Sequence, residues 1–163
     1  FGTVASLHPV KNHRAIIEAL AVGRQDSHAV FVGDGVERDN LEGLAKERGL
    51  SDRVFFAGRQ RPVAPWFQAF DAFLLSSTWE GQALALLQAI SCRLPVLASR
   101  IEGNTAILGE NHPGLFDPTD FSELAALMKN ATSDPARFLP LEAKVPACRE
   151  AAEMLKKIYV EVR

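Results

Sequence analysis

Cysteine is scarce. The 163-residue sequence holds only Cys92 and Cys148, too few and too far apart for a disulfide framework or a zinc cluster. Cys92 falls in an apolar helical pattern, which predicts a buried, reduced thiol. Net charge is small, −2 at pH 7, and no basic run or stripe marks a nucleic-acid surface. No apolar stretch approaches the ~20 residues that span a bilayer. Residues 1–7 bring neither an initiator Met nor a basic n-region and are not expected to be a signal peptide. They read as a strand entered directly, as expected of a segment cut from a longer protein. The four histidines fall at no metal-ligand spacing. His8 and His13 read as polar loop residues, His28 opens a strand, and His112 sits in a Gly/Pro/Asn loop. No Ser-His-Asp or Cys-His arrangement is present, nor any repeat or low-complexity tract. Asn130-Ala131-Thr132 spells a glycosylation sequon with no accompanying sign of secretion.

What is present is an ordinary globular composition, 47% hydrophobic and 23% charged, in one domain long enough to bury a core. Apolar strand-like segments alternate with helix-period segments. Strands are expected over 1–7, 29–32, 54–57, 72–75, 95–98 and 114–116. Helices are expected over 12–22, 37–48, 83–91 and 121–129, with one or two helical turns over 65–70. Asp120 is placed to cap the helix that follows it, with Glu123 three residues on. Residues 133–145 read as a loop, because Pro135, Pro140 and Pro146 prevent a long helix. A last helix is expected over 147–162. Continuous apolar strands between helices imply a parallel sheet covered on both faces. The expected fold is therefore α/β, a parallel sheet of about six strands with helices on both faces; in the Rossmann-like, doubly wound order 3-2-1-4-5-6 the first and fourth strands flank the switch point.

The most informative stretch is Ser76-Ser77-Thr78-Trp79-Glu80-Gly81-Gln82-Ala83, running on through Gln88-Ala89. An apolar strand ends in small hydroxyl residues, a lone acid follows, and a helix starts at once. Such a turn aims backbone N–H groups and a helix dipole over the sheet edge, where open α/β sheets bind ligands. The stretch resembles the signature of retaining GT-B glycosyltransferases of the glycogen-synthase and bacterial mannosyltransferase type, Pro-Ser-x-x-Glu-Gly-Phe-Gly-x-x-x-x-Glu-Ala. The resemblance runs in motif order from Val4 to Tyr159. It implies that Glu80 accepts hydrogen bonds from the donor sugar and stabilises positive charge at its anomeric carbon. The N–H groups of Gln82, Ala83 and Leu84 then face the sugar and phosphates. Where the family has its second acid, to grip the ribose, this chain has Gln88, which reads equally as a residue on an exposed helix face.

Other positions follow from the same resemblance. Lys11 matches the family's diphosphate-binding lysine, while Ser6 stands where its partner arginine is found. Arg59 and Gln60, after the third strand, fall where the family approaches the base, although Arg59 and Arg61 read equally as a solvated basic loop. Gly33-Asp34-Gly35 lacks the third glycine of a dinucleotide fingerprint, and turn geometry explains it equally well. In the segment from Ile101 to Ala106 only Gly103 survives of the family's Gly-Gly-x-Pro-Glu, and Glu102 brings a negative charge toward the diphosphate. The family implies a nucleotide-diphosphate sugar as substrate, with no metal and no cofactor. It also implies an N-terminal acceptor domain, reached by the final helix through Ile158 and Tyr159, so that residues 1–163 form the C-terminal half and do not catalyse alone. The acceptor is expected to be a cell-surface polysaccharide or lipid-linked glycan. The protein is expected in the cytoplasm or at the cytoplasmic face of the inner membrane, held peripherally by the N-terminal domain. Two other readings stand beside this one. They are a non-catalytic GT-B-like scaffold with a degenerate donor site and a sugar-nucleotide epimerase of similar architecture.

Overall fold

Two apolar layers sandwich one sheet. The computed structural model describes residues 1–23 and 26–140. The helix expected over 147–162, Cys148, Ile158 and Tyr159 lie outside the described residues. Six strands form the sheet: β1 Gly2–Val4, β2 Ala29–Val32, β3 Val54–Gly58, β4 Phe73–Leu75, β5 Val96–Ser99 and β6 Leu115–Phe116. All neighbours are parallel, in the order β3-β2-β1-β4-β5-β6, as expected from the sequence. Among the described residues six α-helices accompany them: α1 His13–Gly23, α2 Arg38–Glu47, α3 Ala64–Ala69, α4 Leu84–Ser91, α5 Glu102–Leu108 and α6 Phe121–Ser133. Short 3₁₀ turns span Pro9–Lys11 and Pro135–Phe138.

Alternation along each strand divides the core. Phe31, Leu74 and Leu97 face one layer with Ile16, Leu41 and Leu124 of α1, α2 and α6. Val32, Phe73, Leu75, Val96 and Ala98 face the other, with Phe67 of α3 and Leu86 and Ala89 of α4. A strand buried on both faces needs apolar residues at every position, hence the continuous apolar runs. Asp120 does cap α6, its carboxylate accepting from the N–H groups of Ser122 and Glu123 at 2.9 Å each. Glu123 reaches past the cap to accept from the Asp117 N–H at 2.7 Å. Between α1 and α2, Arg48 donates to both oxygens of Glu18 at 2.8 and 2.9 Å and holds that carboxyl below its ordinary range.

Some expectations change. The first strand ends at Val4, because the continuing chain bonds to the glycine turn: Leu7 N–H donates to the Asp34 carbonyl at 3.0 Å. Gly33 sits at φ 151°, and a Cβ there would run into the Ala5 carbonyl. That close approach accounts for this glycine. Helix α6 runs on to Ser133, since Ala131 extends its buried stripe and the Thr132 hydroxyl bonds back to the Met128 carbonyl at 3.0 Å. Helix α5 has no counterpart among the helices expected from periodicity. His13 is no polar loop residue; it is buried at the start of α1, its ring 5.2 Å from that of Phe31. Burial, with help from the Lys11 charge, pushes its pKa down to about 4. Cys92 is exposed rather than buried. It follows the last turn of α4, where the chain has rotated away from the sheet.

Candidate donor site at the carboxyl edge

The topological switch lies between β1 and β4, and Lys11 and Glu80, both singled out from the sequence, meet there. The 3₁₀ turn after β1 ends at Lys11, and Asn12 follows in the left-handed region at φ 49°, a conformation asparagine tolerates. The Asn12 amide donates to the Pro118 carbonyl at 2.9 Å, fixing this turn to the loop after β6. From the other side, Ser76 Oγ donates to the Lys11 carbonyl at 2.9 Å, and the Thr78 N–H donates to the Val10 carbonyl at 2.8 Å. Lys11 and Glu80 are thereby carried by two loops stitched together through the main chain.

Lys11 Nζ donates to both Glu80 carboxylate oxygens, at 2.8 and 2.9 Å. The pair is well covered, with side-chain exposure of 23% for Lys11 and 6% for Glu80. Glu80 also accepts from the Ser77 hydroxyl at 2.6 Å. Behind Ser77 stand two further buried polar residues. Ser99 Oγ donates to the Ser77 carbonyl, and the Asn104 amide donates to the Ser99 carbonyl and hydroxyl at 2.9 and 3.1 Å. This chain through Asn104, Ser99 and Ser77 orients Glu80, and sequence reasoning missed the roles of its members. The only signal was a run of small polar residues at two adjacent strand ends.

Helix α4 begins one residue later than expected. Its N-cap, Ala83, offers no side-chain cap, and its first turn carries no acid. The Leu84 N–H is engaged with the Gln82 carbonyl at 2.9 Å, so it does not face a ligand as expected. Among the described residues, the N–H groups of Gln82 and Ala83 meet no protein acceptor. An open helix start of this kind favours an anion. Ala83 itself is buried against the core, whereas Ser6, Gln82 and Gln88 are exposed. Arg59 lies exposed after β3, at the sheet's outer edge. That is three strand spacings from β4, or roughly 14 Å. The Gln60 amide turns back to the Ala57 carbonyl at 2.7 Å. Neither is brought together with Lys11 and Glu80. Glu102, on α5, flanks the Glu80 loop. Gly103 passes so close beneath it that a Cβ would lie 2.7 Å from the Glu80 carbonyl oxygen. Between these two loops opens a cavity of about 380 Å³, lined by residues 78–81 and 101–103 with Ala106.

Strand order and a cation–carboxylate pair at the switch point, beside an open helix start, mark a Rossmann-like domain of the kind found in GT-B glycosyltransferases. The crystal structure of Anabaena Alr3699/HepE in complex with UDP superposes with a TM-score of 0.79 at 25% identity, covering 96% of this chain and 48% of that one. The sequence matches the family Glycosyl transferases group 1 over residues 1–152, and the chain belongs to that family. It is 34% identical over 125 residues to the lipopolysaccharide core biosynthesis glycosyltransferase LpsE of Rhizobium meliloti, across 76% of this chain and 36% of the relative. It is 30% identical over 141 residues to the UDP-Gal:alpha-D-GlcNAc-diphosphoundecaprenol alpha-1,3-galactosyltransferase of Escherichia coli, across 82% of this chain and 36% of the relative. The chain thus spans about a third of the length of these curated relatives.

Proposed function

We propose that this chain is the donor-binding half of a retaining glycosyltransferase. The donor is a nucleotide-diphosphate sugar, and the acceptor is a cell-surface polysaccharide or a lipid-linked glycan. The observation that carries the reading is the Lys11–Glu80 pair at the switch point, beside the uncapped start of α4. Lys11 and the N–H groups of Gln82 and Ala83 take up the negative charge that grows on the diphosphate as the glycosidic bond breaks. Glu80 binds the sugar hydroxyls and stabilises the complementary positive charge on the anomeric carbon. Fixed charges and helix dipoles do this work without a metal ion. The Anabaena neighbour solved with UDP and the Escherichia coli relative named for UDP-galactose support a uridine donor. That relative's diphosphoundecaprenol acceptor supports action on lipid-linked glycans. We place the acceptor domain N-terminal to this chain, so that the segment alone binds donor and does not transfer. The whole protein works in the cytoplasm, or at the inner face of the membrane through that domain. Among the described residues no helix is long and apolar enough to cross a membrane.

A second reading has one observation in its favour. Both Glu80 oxygens already hold Lys11, and Ser6 supplies no second cation, which suits a scaffold with a weakened donor site. Membership of a glycosyltransferase family speaks against the epimerase reading. Calorimetric titration of UDP and GDP separates the two that remain. Binding of either nucleotide that weakens in Lys11→Met supports the transferase site. No binding of either to the intact protein would leave the scaffold.

A further inference from the structure

Glu102 and Trp79 are left unexplained by a donor site. Glu102 is exposed and, among the described residues, has no ion-pair partner. A free carboxylate repels a diphosphate, so this wall of the cavity suits an uncharged group. Trp79 is 68% exposed and presents an open aromatic face. Both line the 380 Å³ cavity, on the β5 side of Glu80, and Lys11 does not. Across the sheet edge the order is Lys11 after β1, Glu80 after β4 and Glu102 after β5. Neighbouring strands are about 4.8 Å apart. A phosphate at the first position and a donor sugar at the second leave the third for the next group in the reaction.

An aromatic face beside a free carboxylate is a complementary surface for a sugar ring. The ring's C–H face carries slight positive charge and packs on the negative face of the indole. Vicinal hydroxyls donate to the two carboxylate oxygens. Gly81 and Gly103 keep the floor between them free of side chains, and Gly81 lies against the Trp79 ring. We propose that Trp79 and Glu102 form a subsite for a sugar ring of the acceptor, distinct from the donor's own hexose at Glu80. The assignment rests on the donor site proposed above.

The test uses the intact protein, with the Trp79 indole N–H resonance as reporter and UDP binding followed in the same sample. Methyl α-glucoside, methyl α-galactoside and N-acetylglucosamine are titrated with and without saturating UDP-glucose. At least one glycoside is expected to shift the Trp79 resonance with similar affinity in both cases. Trp79→Ala, followed by calorimetry, and Glu102→Gln are expected to weaken that binding at least tenfold, about 1.4 kcal/mol. Melting temperature stays unchanged, since both side chains are exposed, and UDP affinity does not weaken in either variant. If no glycoside shifts the resonance while UDP binds, the subsite is wrong and the donor site stands. If UDP-glucose abolishes the glycoside effect, the donor hexose occupies the cavity and the acceptor assignment is overturned. If UDP fails to bind at all, the donor reading fails first, and the subsite fails with it.

Discussion

Removing the cation from the Lys11–Glu80 pair gives the sharpest test of the site. The ions lie 2.8 Å apart, and at an effective dielectric of about 20 their attraction is roughly 6 kcal/mol. Desolvation offsets much of that, yet breaking such a pair strands a carboxylate that is 6% exposed. Fully buried pairs lose about 3–5 kcal/mol when one partner is removed. Because Lys11 keeps 23% of its side chain in solvent, Lys11→Met is expected to cost about 2–3 kcal/mol. For a domain of this size that lowers the melting temperature by roughly 4–12 °C. Glu80→Gln costs less, about 1–2 kcal/mol, because Lys11 turns to water. Combining both changes should recover at least about 1 kcal/mol relative to the sum of the single changes. Ligand binding moves differently. Lys11→Met weakens UDP binding about tenfold or more, whereas Glu80→Gln frees Lys11 for the diphosphate and leaves UDP affinity equal or tighter while transfer is lost. Urea unfolding and calorimetric titration read both sides. Strict additivity in the stability cycle, or equal loss of UDP binding in both single variants, would refute the reasoning.

Three further outcomes are expected. Gln88→Glu should tighten UDP by about 1–3 kcal/mol through charge-assisted bonds to the ribose; unchanged affinity places the ribose elsewhere. His13 titrates near 6.5 when unfolded and about 4 when folded. The unfolded chain therefore binds more protons across that window, and stability falls as pH drops through it, by up to about 3 kcal/mol. His13→Phe should flatten that segment of the stability–pH curve measured by urea unfolding, and an unaltered slope would contradict a buried neutral imidazole. In a Cys148→Ser background, Cys92 should react with a thiol reagent in the native state nearly as fast as a free thiol, and protection until unfolding would contradict its exposure.

The alternation of parallel strands and helices was legible in the sequence, because apolar runs and turn residues are local signals, whereas the strand order and the meeting of Lys11 with Glu80 came with the family resemblance. Gly103, Asn104 and Thr105 are poor helix formers, so α5 gave no periodic signal. It is held by Asn104 bonding to the end of β5, a tertiary contact. For the same reason the chain behind Glu80 was invisible, since Ser77 and Ser99 become neighbours only when β4 and β5 pair. His13 and Cys92 were misjudged at helix ends, where one residue's rotation about the axis exchanges core for solvent.

The division between the buried polar ladder and the open rim has a consequence for how this site can drift. Ser77, Ser99 and Asn104 are enclosed, so altering one of them is an injury to folding before it is a change in chemistry. Ser6, Gln82 and Gln88, where the chain departs from its family's pattern, stand in water and can be exchanged at almost no structural cost. Substitutions at those exposed positions leave the architecture fixed. Ala83, where the family motif has glycine, is the exception, because it is buried and the core limits what can stand there.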